Sequence, residues 1–115
     1  MKIRIKGNSL RYRLTKSDVD RLEKEGYLEE TTDFGGQILI YALQRYALPG
    51  LTASYQNNAI TLYMHADMVN DLATTERVGF NAINNQLHLL VEKDFICLDT
   101  VAEDQSDNYP NPLLA

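Results

Sequence analysis

The chain has 115 residues, the usual size of one domain, and a domain of this length buries about two thirds of the surface that its unfolded chain exposes. Its hydrophobic fraction of 44% and charged fraction of 23% are ordinary for globular proteins, which excludes a disordered or fibrous chain. The formal net charge of −5 argues against nucleic acid as a partner, because such binding depends on neutralising phosphates.

Residues 2–14 predict a first β-hairpin. Polar and apolar residues alternate on both sides of Gly7-Asn8, and glycine at the first turn position suits a two-residue type II′ turn. This register places the polar side chains opposite one another in three pairs: Lys2 with Arg13, Arg4 with Arg11, and Lys6 with Ser9. One face of the hairpin is therefore apolar and packs on the core, and the other carries a basic stripe.

A helix and a second hairpin follow. Thr15 or Ser17 can cap the helix at its start, and Gly26 can close it in the left-handed conformation. Two strands then flank the glycines of residues 34–36, and two turn registers fit this segment equally well. The apolar run 38–43 is typical of a central strand, buried on both faces.

The second part of the chain predicts two further hairpins and a helix. Asn57-Asn58 tolerates the positive φ of a type I′ turn, and the spacing of Met68, Val69 and Leu72 predicts a helix over 66–74. Asn84-Asn85 is predicted as another such turn, which would place Phe80 opposite Leu89. Residues 95–98 are predicted as an edge strand.

These elements predict an α+β fold: an antiparallel, hairpin-built sheet of about seven or eight strands, curled as a sandwich or partial barrel, with two helices. Residues 1–98 would form a single domain, and residues 99–115 an acidic, proline-containing C-terminal tail. We find no repeat of solenoid length. The single cysteine, the lack of a membrane-spanning apolar run and the lack of a signal-peptide core predict a cytoplasmic protein without a membrane partner.

Several segments resemble a family of small bacterial proteins of unknown function. They are the opening MKIRIKGNSLRYRLT, the EETTDFGG segment, VEKDFICL and DNYPNP. The resemblance covers nearly the whole chain and is specific in its end segments. It implies a bacterial cytosolic protein of one domain, and it carries over no catalytic residue, substrate or cofactor.

The distribution of charge is the unusual feature of the chain. Residues 1–13 hold five basic and no acidic side chains, whereas residues 94–115 hold five acidic and no basic ones. The candidate ligand-binding residues are the five basic ones: Lys2, Arg4, Lys6, Arg11 and Arg13. Like charges opposite each other destabilise a bare hairpin, so something negative is expected nearby.

Two sources of that negative charge are open. One is an anionic small molecule or an acidic protein partner, because forked arginines bind phosphate and carboxylate well. The other is the chain itself, since structural ion-pair networks often imitate binding sites. The carboxylates that would serve are those of Glu29, Glu30, Asp33, Glu92, Asp94 and the acidic tail.

Other chemistry finds little support in the sequence. His65, His88 and Cys97 lack the spacing of a metal site, and Cys97 has no nearby histidine to activate it. We therefore predict no metal and no cofactor, and we assign no catalytic residue. Tyr12, Tyr41 and Tyr55 fall on apolar positions and are expected in the core, with Tyr63 as the exposed tyrosine.

The sequence favours a non-enzymatic binding or interaction domain with a basic hairpin face, homodimeric because an apolar edge strand needs a cover. The alternative is a metal-dependent enzyme acting on a phosphorylated or polyphosphate small molecule. An enzyme would need carboxylates that converge with the arginines in a concave pocket.

Overall fold

A computed structural model describes residues 1–96 and 105–112 of the chain. The elements within these ranges are β1 (Lys2–Lys6), β2 (Ser9–Leu14), α1 (Lys16–Glu25), β3 (Tyr27–Asp33), β4 (Ile38–Tyr46), β5 (Leu51–Gln56), β6 (Ala59–His65), α2 (Ala66–Thr74), β7 (Gly79–Asn84) and β8 (Leu87–Lys93). The predicted α+β class, strand number and pair of helices are confirmed for the described part of the chain.

The strands form two four-stranded sheets instead of one curled sheet, so that part of the prediction is wrong. The strand orders are β1-β2-β8-β7, here called sheet A, and β3-β4-β6-β5, called sheet B, and the two do not close into a barrel. Each hairpin is antiparallel as predicted, but β2 pairs with β8, and β4 with β6, in parallel. Hairpins far apart in sequence are thus joined at the centre of each sheet.

The topology contains an internal repeat that the sequence analysis missed. The order strand, strand, helix, strand, strand occurs twice, as β1–β4 with α1 and as β5–β8 with α2. If each strand of sheet A is replaced by its equivalent in the other half, the order β1-β2-β8-β7 becomes β5-β6-β4-β3. This is the order of sheet B read from its other edge. Residues 11–20 and 61–70 also have the same burial pattern, position by position. The halves are therefore structural equivalents, and each contributes two strands to each sheet.

Hydrogen bonds repeat at equivalent positions of the two halves. The amide of Ile40 donates to Asn58 O and that of His88 donates to Asn8 O, both at 2.9 Å. At the other ends of these strands, two further amide-to-carbonyl bonds of 2.9 Å correspond in the same way: Arg45 N to Gly26 O, and Lys93 N to Val78 O. Equivalent residues of β2 and β6 differ by 50 in number, and those of β4 and β8 by 48.

Side chains at the helix ends explain where both helices begin. Thr15 caps α1 in a capping box with Asp18, and Gly26 ends the helix at a φ of 77°. His65 takes the place of Thr15 in the second half, where its Nδ1 atom accepts a hydrogen bond from the amide of Asp67 at 3.0 Å. The predicted bounds of α2 are confirmed, and His65 is a capping residue.

Two of the predicted hairpin turns are confirmed and one is wrong. Gly7 has a φ of 52°, and Asn57 and Asn58 have φ values of 52° and 63°, as type II′ and type I′ turns require of these positions. The turn between β7 and β8 lies at Asn85-Gln86, one residue later than predicted, and Phe80 pairs with Val91. Moving the turn by one residue changes the pairing by two positions, so the same side chains still face inward.

The core lies between the inner faces of the sheets and under the two helices, which pack on each other. Tyr12 is fully buried and its hydroxyl donates to Ile60 O at 3.1 Å, which links the two sheets. Tyr41 is half-buried. Tyr63 is also half-buried, so its prediction as the exposed tyrosine is wrong. Tyr55 is 68% exposed, so its prediction as a core residue is wrong. It lies near the tip of its hairpin, and its equivalent, Ile5, is also exposed.

Residues 105–112 return to the domain beside α1 and the end of β8. The amide of Lys16 donates to Asp107 O at 3.1 Å, and Tyr109 exchanges backbone hydrogen bonds of 2.8 Å with Asp94 and Ile96. Hydrogen bonds from Ser17 and Thr15 hold the pKa of the Asp107 carboxyl below its usual value. Residues 97 and 98 of the predicted edge strand 95–98, which include Cys97, and residues 99–104 of the acidic tail lie outside the described residues.

No helix in the described part of the chain is long and apolar enough to cross a membrane.

The repeat predicts that equivalent core positions contribute comparably to stability. Leu22 and Leu72 are buried at equivalent positions of α1 and α2. Leu22→Ala and Leu72→Ala should each lower the free energy of unfolding by about 2–5 kcal/mol, whereas Leu48→Ala, at a position 66% exposed, should change it by less than about 0.5 kcal/mol. Urea denaturation checks these values. Two separate unfolding transitions, one for each half, would contradict sheets built from both halves.

Candidate anion-binding face

The predicted register of the first hairpin is confirmed in all three polar pairs. Buried Leu10, Tyr12 and Leu14 alternate with the polar residues of β2, which therefore point away from the core. We call the outward-facing side chains of Lys2, Arg4, Lys6, Arg11 and Arg13 the basic face. It covers the β1–β2 side of sheet A, and β1 is one of the two edge strands of that sheet.

Glu92 lies between two arginines of the basic face. Its Oε1 atom is 3.1 Å from Arg13 Nε and 3.6 Å from Arg11 Nε. The parallel pairing of β8 with β2 places Glu92 beside Arg13 and so determines this contact. Among the described residues, one carboxylate is thus shared by two guanidinium groups, which together carry one more positive charge than it can balance.

Lys2 is paired with Asp94, just after β8. The Nζ atom of Lys2 is 3.0 Å from Oδ2 of Asp94, a side chain that is almost fully buried. No hydrogen bond of good geometry from the described residues reaches this oxygen, so the contact is mainly one of charge with charge. Lys2 thus neutralises a buried carboxylate, which gives it a structural role.

Arg4 and Lys6 make no ion pair within residues 1–96 and 105–112. Arg4 lies directly opposite Arg11, and both line a small cleft of about 140 Å³ in the basic face. Lys2, Ile3 and Arg13 complete its lining. The positive charge of the face is therefore concentrated around a cleft of the size of a small anionic group.

Within residues 1–96 and 105–112, carboxylates of the chain account for only part of the expected negative charge. Glu92 and Asp94 contact the basic face, as one of the two sequence interpretations required. Glu29 and Asp33 lie on β3 in sheet B, and Glu30 is 3.4 Å from the amino group of Met1. Among the residues described, the basic face thus combines five basic side chains with two carboxylates.

The second half of the chain has a neutral counterpart of this face. The residues that correspond to Lys2, Arg4, Lys6, Arg11 and Arg13 are Thr52, Ser54, Gln56, Thr61 and Tyr63. Gln44 corresponds to Glu92. The ion pair of Lys2 with Asp94 is replaced by a contact of 3.3 Å between the hydroxyls of Thr52 and Tyr46. The same backbone pairing therefore forms without any of these charges.

The histidines do not form a metal site in the described part of the chain. No group of three or more histidine, cysteine, aspartate or glutamate side chains there is arranged to hold a metal ion. His65 caps α2, and His88 is exposed on β8 beside Ser9. Cys97 lies outside the described residues.

A comparison with protein families places the chain. A model of a family of unknown function, DUF7009, matches residues 1–113. The chain belongs to this family. No curated protein and no solved structure matches it. The resemblance to a family of unknown function is thus confirmed, and the site is interpreted from its own residues.

The sequence patterns predicted the basic face, but the repeat, which supplies a neutral surface for comparison, was missed. The only identical pairs between residues 1–25 and 51–75 are Asn8 with Asn58, Val19 with Val69, and Leu22 with Leu72. One signal was available, because two hairpins with turns 50 residues apart are each followed by a helix with the same buried spacing. An alignment of the two halves by turns would have found the neutral counterpart.

Replacing the opposed arginines by their counterparts from the second half should leave the fold intact. We expect Arg4→Ser with Arg11→Thr to leave the free energy of unfolding unchanged or to raise it by up to about 1 kcal/mol, because like charges no longer face each other. Urea denaturation at low and high salt checks this. Added salt should reduce the difference in the free energy of unfolding between the variant and the parent protein, because it screens the repulsion. A loss of more than about 2 kcal/mol would mean that the arginines are part of the structural framework.

Proposed function

We propose that this protein is a non-enzymatic binding domain that recognises an anionic group at its basic face. The observation that supports this most is the contrast between the two halves. The fold builds the same outer surface from neutral side chains in one half and from basic ones in the other. Ion pairs account for Lys2 and Arg13, but the backbone pairing does not require arginine at both Arg4 and Arg11, so a ligand is the simplest reason for these two opposed charges.

The geometry favours a phosphate-bearing small molecule as that ligand. Arg4 and Arg11 face each other across the cleft, and guanidinium groups bind phosphate oxygens in pairs of parallel hydrogen bonds. Arg13 and Lys2 also line the cleft, and each is paired with a carboxylate, Arg13 with Glu92 and Lys2 with Asp94. Lys6 is available to a second anionic group farther along β1.

The enzymatic alternative has less support. It requires carboxylates that are free to hold a metal ion beside the bound phosphate. Glu92 and Asp94 are the carboxylates of this face among the residues described, and both already contact basic side chains. A binding role needs no such group.

The location and assembly are also proposals. We propose a bacterial cytosolic protein, as the resemblance and the composition suggest, and a homodimer. The support for the dimer is a groove of about 410 Å³ between the hairpin ends, lined by exposed Ile5 and Tyr55. Sedimentation velocity at micromolar concentration tests it: a species of twice the chain mass supports the dimer, and a monomer contradicts it.

Phosphate and tripolyphosphate should raise the melting temperature of the protein. A ligand that binds only the folded state at ten times its Kd adds about 1.4 kcal/mol, or about 5 °C for a domain of this size. The double change Arg4→Gln with Arg11→Gln should remove this shift and leave the ligand-free melting temperature equal or higher. Differential scanning fluorimetry at constant ionic strength measures both.

The matched control removes two positive charges elsewhere. Arg21 and Lys24 are exposed on α1, and among the described residues their ion pairs run along the helix, with Glu25 and Asp20. Arg21→Gln with Lys24→Gln should keep the full anion-dependent shift. If both double variants lose the anion-dependent shift equally, the shift depends on the net charge of the protein, and a specific site on the basic face is contradicted. A shift that requires phosphate and a divalent metal together would favour the enzyme.

A further inference from the structure

A second cavity lies at the opposite side of β8 from the basic face. It measures about 480 Å³ and lies between the segment that follows α2, the end of β8 and the returning residues 109–112. Its walls are mainly apolar, from Val78, Phe95, Tyr109 and two prolines. Neighbouring residues of a strand point to opposite faces, so Glu92 reaches the basic face whereas Lys93 lines this cavity.

Lys93 is a buried cation with few partners in the part of the chain that the structure describes. Only 6% of its surface is exposed, and within that part its Nζ atom donates one hydrogen bond, to Thr75 O at 2.9 Å. The ring of Tyr109 is 4.9 Å away. An ammonium group has three donors, and a buried charge is costly when its donors lack acceptors. Burial accordingly lowers the pKa of Lys93, and nearby Glu76 offsets this only in part.

The equivalent position in the first half holds a longer side chain with more contacts. Arg45 corresponds to Lys93, and its Nη1 atom donates to Glu23 O near the end of α1 at 2.6 Å. Its guanidinium packs on Gly26 so closely that a Cβ atom there would lie 2.9 Å from Nη2. A basic side chain at the end of each helix is therefore part of the framework, and the cavity lies beside the shorter of the two, Lys93, where residues 109–112 supply part of its walls.

We propose that this cavity binds a small monocarboxylate with an apolar or aromatic body. The carboxylate of the ligand would accept hydrogen bonds from the N–H groups of Lys93 Nζ that do not bond to Thr75 O. The apolar body of the ligand would pack against Tyr109 and the prolines. Glu76 also lines the cavity, and its carboxylate repels a dianion such as phosphate more strongly than a monoanion, so the cavity favours a ligand with one negative charge next to Lys93. The site is independent of the basic face and of the function proposed for it.

Benzoate is the probe, and the side-chain NMR signals of Lys93 in isotope-labelled protein are the readout. We expect saturable changes in the Lys93 Nζ and Cε signals with a Kd of about 1 mM or tighter, and a rise in the pKa of Lys93 on binding. Benzyl alcohol, which has a similar shape without the charge, should bind at least tenfold more weakly. The signals of Lys24, exposed on α1, should not respond.

Two variants separate recognition from folding. Lys93→Arg keeps the charge at the end of α2 but places a longer side chain beside the cavity, which takes up space that benzoate needs, so this variant should fold normally and lose benzoate binding at least tenfold. Arg4→Gln with Arg11→Gln should bind benzoate unchanged. The proposal is overturned if benzoate produces no saturable change at Lys93, if benzyl alcohol binds equally well, or if folded Lys93→Arg retains the affinity.

Discussion

Two parallel strand pairings, β2 with β8 and β4 with β6, connect the two halves of this chain. Neither half contains a complete sheet, because each sheet consists of one hairpin from the first half and one hairpin from the second. The pairings bring Tyr12 beside Val91 and Leu43 beside Leu62, and all four side chains are fully buried. The inner faces are therefore constrained by packing from both halves, whereas the outer faces are free to differ.

The two halves differ most clearly in the side chains on these outer faces. The outer surface of the first hairpin carries charges that its counterpart lacks, and the position of Lys93 holds a longer side chain, Arg45, in the other half. The internal repeat allows equivalent positions of the two halves to be compared. Features that both halves share are explained by the common fold, whereas features of one half need another explanation. Ion pairs with Glu92 and Asp94 explain part of the difference.

Sequence patterns predicted the local structure well, because turn and cap chemistry is local. Gly7-Asn8 and Asn57-Asn58 determined two registers, and with the first register the basic face followed directly. The parallel pairings could not be predicted, since alternation in β2 is compatible with any apolar partner strand. The turn at Asn85-Gln86 was missed because a two-residue change of register preserves which side chains face inward. The contact of Glu92 with Arg11 and the cavity at Lys93 depend on the parallel pairing and on residues 105–112, so neither was accessible from spacing.

The central claim is that the basic face binds an anion while its neutral counterpart does not. A titration of ¹⁵N-labelled protein with tripolyphosphate, followed through the backbone amide signals, compares both faces in one sample. The account predicts saturable shifts concentrated in residues 2–13, with the equivalent residues 52–63 unaffected. Shifts of equal size in both hairpins, or none in the first, would contradict it.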